Sequence, residues 1–178
     1  VGRATAAGGK ALMPTLDIPG TGLFNHIADP GGAILSPFQV ADPERNNWGI
    51  RGKEGHFCWS ELMCQDPAQA ADFYAKTVGW EIQEADFHGM TYRMVIPPGA
   101  KPDEAQGGIM KMACEDTPDA WIPYVGVASA DETVAKAREL GATVACEPMD
   151  VGAGRAAMIT DPQGALFGIY EAKGGAAC

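Results

Sequence analysis

Apolar and polar residues change their period along this chain in an order that predicts its elements. "HFCWSELMC" (His56–Cys64) alternates, as a half-buried strand does. "DPAQAADFYAKTVGW" then switches to helical spacing, with Ala71, Tyr74 and Val78 on one face. Asp66 suits the N-cap, Pro67 the first helical position, Gln69 a capping box and Gly79 the C′ position. "WEIQEADF", "TYRMVI" and "GGIMKMA" are three short strand patterns, with a Pro- and Gly-rich loop over Pro97–Gly108 before the last. The order then recurs. "WIPYVGVA" predicts a strand and "SADETVAKARELGA" a helix, with Ser129 and Glu132 as capping box and Gly141 as stop. Ala130, Val134 and Ala137 face one way on it, and three strands follow, ending at Tyr170. The pattern is βαβββ twice, from about His56 to Ala172.

A third, partial copy precedes these two. "IADPGGAILS" (Ile27–Ser36) and "ITDPQGALFG" (Ile159–Gly168) share a pattern. Aligning Gly8–Phe38 with Gly141–Tyr170 places Asp17 on Asp150, Asp29-Pro30 on Asp161-Pro162 and Gly32 on Gly164, with one residue missing between the anchors. Asp and Pro favour the first positions of a turn, and Gly accepts positive φ at its end. Residues 1–40 are therefore expected to be the last strands of a preceding βαβββ module, with "VGRATAA" as the end of its helix. The chain would then start inside a longer ancestor of two such domains in tandem. Strands without neighbours expose unpaired edges and an apolar face, so this segment is expected to pack on another subunit or on the C-terminal domain. The alternative is an extended leader. The polar, turn-rich stretch at 41–55 predicts a linker, 56–173 one complete domain of two modules, and 174–178 a tail.

Composition narrows the function classes. The chain has 178 residues and a formal net charge of -10, which disfavours nucleic acid and anionic membranes as partners. No apolar run approaches the roughly 18 residues of a membrane span, and "VGRATAAGGKALMP" lacks the apolar core of a signal peptide. Five cysteines, an odd count without a Cys-x-x-Cys pair, predict free thiols in a reducing, cytoplasmic setting. His26, His56 and His88 lie far apart and form no zinc spacing. Dinucleotide, P-loop and nucleophile-elbow signatures are absent, so no cofactor is predicted.

The doubled βαβββ unit resembles the vicinal oxygen chelate superfamily, which holds glyoxalase I, extradiol dioxygenases and bleomycin-resistance proteins. The residues that carry the likeness are Asp66, Phe73-Tyr74 and "VGWE" in the first half. In the second half they are "WIPYVGVASADETVAKARELGATV" and "ITDPQGALFGIYE". The resemblance implies an α+β fold in which paired βαβββ modules form a curved mixed sheet around a cup. It also implies four cup-facing metal positions, which fall at Trp59, among Ile109, Met110 and Lys111, near Ile122, and at Gly168. Ser36 is the N-terminal counterpart of Gly168. Indole, Ile and Gly offer no lone pair to a divalent ion and Lys would repel it, so no metal is expected. Glu171 is one residue off register and should point to the other face. His56 with Glu61 remains a partial alternative.

Alternation places Trp59, Glu61 and Met63 together on the cup side. Tyr92, Met94, Met110, Met112, Tyr124, Leu166 and Tyr170 are the other candidate lining residues. Met and aromatic linings suit an organic ligand, although the same residues would equally fill a core. An enclosed Glu61 could exchange protons, or it could pair with Arg93 or Lys111. Tyr92 and Tyr124 could orient a polar substrate group. His88 reads as a solvated turn residue, and Cys58 and Cys64 as core residues facing the helix. Three functions remain. One is a metal-free protein that binds a partly aromatic small molecule, expected as a homodimer. Another is a metal-independent lyase, isomerase or hydroxylase-like enzyme with Glu61 as acid/base. The third is a metal-dependent glyoxalase or dioxygenase, which the ligand positions disfavour.

Overall fold

The computed structural model describes residues 1–45, 54–112 and 117–175. Most of the linker and two of the five cysteines lie outside them. A short helix α1 (Gly2–Ala6) opens the chain. Six short strands follow: β1 (Lys10–Ala11), β2 (Leu16–Ile18), β3 (Gly22–Phe24), β4 (Ile27–Ala28), β5 (Ile34–Leu35) and β6 (Phe38–Val40). They pair antiparallel in two sets, β1-β4-β5 and β2-β3-β6, which together make one bent three-strand meander.

The first full module is β7 (Phe57–Cys64), α2 (Pro67–Val78), β8 (Glu81–Phe87), β9 (Met90–Ile96) and β10 (Gly107–Lys111). The second is β11 (Ala120–Gly126), α3 (Ala130–Glu139), β12 (Thr143–Asp150), β13 (Gly154–Thr160) and β14 (Leu166–Ala172). The twice-repeated βαβββ order is as the periodicity predicts. Asp66 accepts from Gln69 N at 2.9 Å, and Gly79 closes α2 with φ +83. Ser129 accepts from Glu132 N at 3.3 Å. The strand predicted from Gly107 is β10, so the loop predicted over Pro97–Gly108 ends two residues early. Gly107 and Gly108 already belong to β10, because both pair with β9, and a 3-10 turn occupies Pro102–Glu104.

Register explains the sequence repeat at atomic detail. Lys10 pairs with Ala28 and Ala11 with Ile27, as Thr143 pairs with Thr160 and Val144 with Ile159. Leu16 pairs with Phe24 as Met149 pairs with Ala156. Even the close approaches recur. A Cβ on Gly22 would run into the Gln39 carbonyl and the Phe38 ring, and one on Gly154 into the Glu171 carbonyl and the Tyr170 ring.

The chain forms two compact units, 1–47 with 61–121 and 48–60 with 122–178. In the first, β7 and β10 run parallel, as a helical crossover requires, and β10-β9-β8 continue antiparallel. Leu62 and Cys64 on β7, Phe73 and Tyr74 on α2, Val95 and Ile109 form its core, joined by Ala4, Ile27 and Ala33 from the N-terminal segment. Full burial of a side chain such as Leu62 or Ile109 stabilises by about 1.5–3 kcal/mol. In the second unit the order is β11-β14-β13-β12, again with the first pair parallel. Ala130 and Val134 of α3 pack on Ala157, Ile159 and Ile169. Glu171 accepts from Ala130 N at 2.8 Å, on the helix side of the sheet as its register predicts.

Candidate functional site

Alternation on β7 sorts its side chains into two sets. Leu62 and Cys64 go to α2, so Glu61 and Met63 take the opposite face, and Trp59 has the same parity in the strand's first half. Register extends that face across the first unit. Glu61 pairs with Gly108 and Met63 with Met110, while Gly108 pairs in turn with Met94. Tyr92, two residues before Met94, shares its side of β9, and Phe87 places its ring 5.9 Å from it.

The Tyr92 ring lies across Gly108. A Cβ there would fall inside the phenol oxygen and the ring carbon that bears it. Paired positions on neighbouring strands are about 4.8 Å apart. The Tyr92 hydroxyl therefore lies about one strand spacing from the Glu61 Cβ. Glu61 itself is only 7% exposed. The face thus carries a buried carboxylate and a phenol among the thioethers of Met63, Met94 and Met110. Such a set can accept and donate hydrogen bonds to a ligand and hold a proton at Glu61. Arg93 pairs with Glu84 at 2.9 Å, and Lys111 donates to the Gln65 carbonyl at 2.6 Å.

The remaining candidates belong to the second unit. Ile159 and Ile169 face α3, so Tyr124, Gly168 and Tyr170 line the other side, with Met158 opposite Gly168. Tyr124 lies over Gly168 much as Tyr92 lies over Gly108. The structure gathers Glu61, Met63, Tyr92, Met94 and Met110 on one face of the first unit. Tyr124 and Tyr170 line the second unit, to which Trp59 also belongs.

The metal positions fail a test of donor chemistry. Trp59 offers an indole and Ile122 and Gly168 offer no donor. Ile109 and Lys111 share the side of β10 opposite Met110, leaving only a thioether on the site face. Among the described residues no three of His, Cys, Asp and Glu gather in a metal-binding group. A divalent ion does not fit these positions. His56 is exposed, with Nδ1 3.2 Å from the Glu54 carbonyl, and His88 is exposed in a turn at φ +52. Cys64 is no nucleophile: burial first, then nearby Asp119, pushes its thiol up to about 12.

One polar cluster escapes sequence reasoning. Tyr74 donates to Asp29 Oδ2 at 3.0 Å and accepts from Trp121 Nε1 at 2.8 Å. Asp29 Oδ1 accepts from Ala33 N at 2.9 Å. Burial raises the Asp29 pKa and pushes the Tyr74 phenol upward. The Asp-Pro turn and the buried face of α2 each mark one partner, but no local signal joins residues 45 positions apart. With the side-chain polar atoms of Asp29, Tyr74 and Trp121 all hydrogen-bonded, the cluster pins the N-terminal segment to α2.

Comparison with known proteins agrees with this architecture. The family model described as a glyoxalase-like domain matches residues 57–170. CFP32 of Mycobacterium bovis is 33% identical over 173 residues, 96% of this chain and 64% of that protein. The anthracycline biosynthesis protein DnrV of Streptomyces peucetius is 30% identical over 174 residues, 97% of this chain and 61% of that one. The chain thus spans less than two thirds of either relative. Among solved structures, the Mn(II)-bound glyoxalase of Novosphingobium aromaticivorans aligns with TM-score 0.57 at 17% identity, covering 96% of this chain and 56% of that chain. A methylmalonyl-CoA epimerase bound to methylmalonyl-CoA aligns with TM-score 0.53 at 17% identity, covering 71% and 100%. The match over most of its length, on the doubled βαβββ frame, makes this chain a member of the glyoxalase-like family within the vicinal oxygen chelate superfamily.

Proposed function

We propose that this chain binds a small, partly aromatic organic molecule on the Glu61 face, without a metal ion. The carrying observation is a buried Glu61 that faces Gly108 in register, where the Tyr92 phenol fills the space of the missing Cβ, inside a thioether lining. Thioethers adapt to flat carbon skeletons, and the two polar groups would fix orientation. A relative named for anthracycline biosynthesis supports an aromatic ligand. Its buried position also gives Glu61 a second reading, as the acid/base of a metal-independent isomerase or lyase.

A thermal-shift screen of uncharged hydroxylated arenes tests both readings. Binding is expected to raise Tm, and Glu61→Gln is expected to lower affinity about tenfold by the binding reading. A ligand that Glu61→Gln still holds but no longer converts would favour the enzyme. One tight equivalent of Mn, Fe, Ni or Zn in the purified protein would sink the metal-free reading. The same proposal takes the chain as a cytoplasmic homodimer. Its support is the half-exposed apolar set Leu16, Ile18 and Phe38 and the free thiols Cys64 and Cys146. Sedimentation equilibrium is expected to return twice the 18.6 kDa chain mass, and a monomer at all concentrations would refute it.

A further inference from the structure

We infer that Gly108 is the positioning residue of this site: its missing Cβ seats the Tyr92 phenol beside Glu61, and the seat selects uncharged ligands that carry a hydroxyl group. The inference rests on the small-molecule reading above and names the ligand class of that same site. The geometry is direct. Gly108 faces Glu61 in register, and the phenol oxygen of Tyr92 occupies the space a Cβ would take. The carboxylate of Glu61 and a phenol about one strand spacing from the Glu61 Cβ can together bind one ligand hydroxyl. An anionic ligand group beside Glu61 would give up its hydration in this buried setting.

The repeats supply an internal control. Gly168 holds the same position in the second unit, opposite Tyr124 on its parallel neighbour, and there too a tyrosine ring fills the space of the missing Cβ. The ring comes from the first strand of the module rather than from its third, so the glycine, not the donor strand, is the common feature. In the N-terminal copy the equivalent position is Ser36, which has a Cβ. There His26 instead meets the side chain, with Nδ1 2.6 Å from Ser36 Oγ. Phe24, the register equivalent of Tyr92, turns its ring to His26 at 5.4 Å.

Gly108→Ala should expel the Tyr92 ring rather than unfold the sheet, because the atoms displaced are the far end of a long side chain. Two readouts test this. With 3-fluorotyrosine incorporated, fluorine NMR should show the Tyr92 resonance, assigned with Tyr92→Phe, moving in Gly108→Ala. The resonances of Tyr74, Tyr124 and Tyr170 should stay. Titration with 2-naphthol should weaken about tenfold in Gly108→Ala. It should weaken no further when Gly108→Ala is added to Tyr92→Ala, and 2-methoxynaphthalene should lose its disadvantage in Gly108→Ala. An unmoved Tyr92 resonance, or equal losses in both backgrounds, overturns the seat. A wild-type chain that binds neither arene overturns the small-molecule reading and the selection with it, while the resonance still decides the seat.

Discussion

At the scale of single residues, the Asp29–Tyr74–Trp121 chain shows how a buried polar group is tolerated only when every neighbour is engaged. Asp29 is 5% exposed, and burial raises its pKa despite the bonds from Tyr74 and Ala33. A carboxyl that holds its proton more tightly in the folded state contributes stability below its unfolded value of 3.8, lost as pH rises through the raised value. The wild type should therefore lose stability relative to Asp29→Asn as pH climbs from about 4 towards neutrality. Urea midpoints at both ends of that window measure the difference, in which the other titrating groups largely cancel. A difference that stays flat, or that grows with pH, would contradict a raised Asp29 pKa.

At the scale of elements, the caps do most to fix where helices begin. The start of α3 draws on two groups: Ser129 accepts from Glu132 N, and Glu171 reaches from β14 to Ala130 N. Its first turn also carries Asp131 and Glu132. Negative charge at a helix N-terminus is favourable, and Glu171 brings one more from a neighbouring strand. Glu171→Ala should cost about 1 kcal/mol and Ser129→Ala a similar amount. The two should be nearly additive, since they serve different N–H groups. Chemical denaturation of the single and double variants measures this, and full loss in either single variant would mean that the caps act as one. Much of this was legible in sequence because caps and periods are local signals. Asp66, Ser129, Gly79 and the off-register Glu171 all sit where spacing puts them. Side-chain reach across strands is not local. That Tyr92 would cross Gly108 depends on β9, β10 and β7 meeting in one register, which no single strand pattern specifies.

For the molecule as a whole, the N-terminal segment is integrated into the first compact unit. Ala4, Ile27 and Ala33 are each about 1% exposed in the core that holds Phe73 and Tyr74. Gly9 lets the backbone pass against the Phe73 ring, where a Cβ would collide with it. Removing residues 1–40 would expose Phe73 and strip Tyr74 of its acceptor. It would also open apolar surface on α2 whose burial is worth several kcal/mol, taking about 1.5–3 kcal/mol for a side chain such as Phe73. For a chain of this size, each kcal/mol moves Tm by about 2–4 °C. The shortened chain should therefore melt roughly 10 °C lower by calorimetry, with α2 amides losing protection in hydrogen exchange. The Glu61 face lies on the opposite side of β7 from α2, so the deletion would weaken ligand binding only through this loss of stability. A shortened chain that keeps both its Tm and the protection of α2 would show that the meander merely leans on the core, and that Tyr74 finds another acceptor without it.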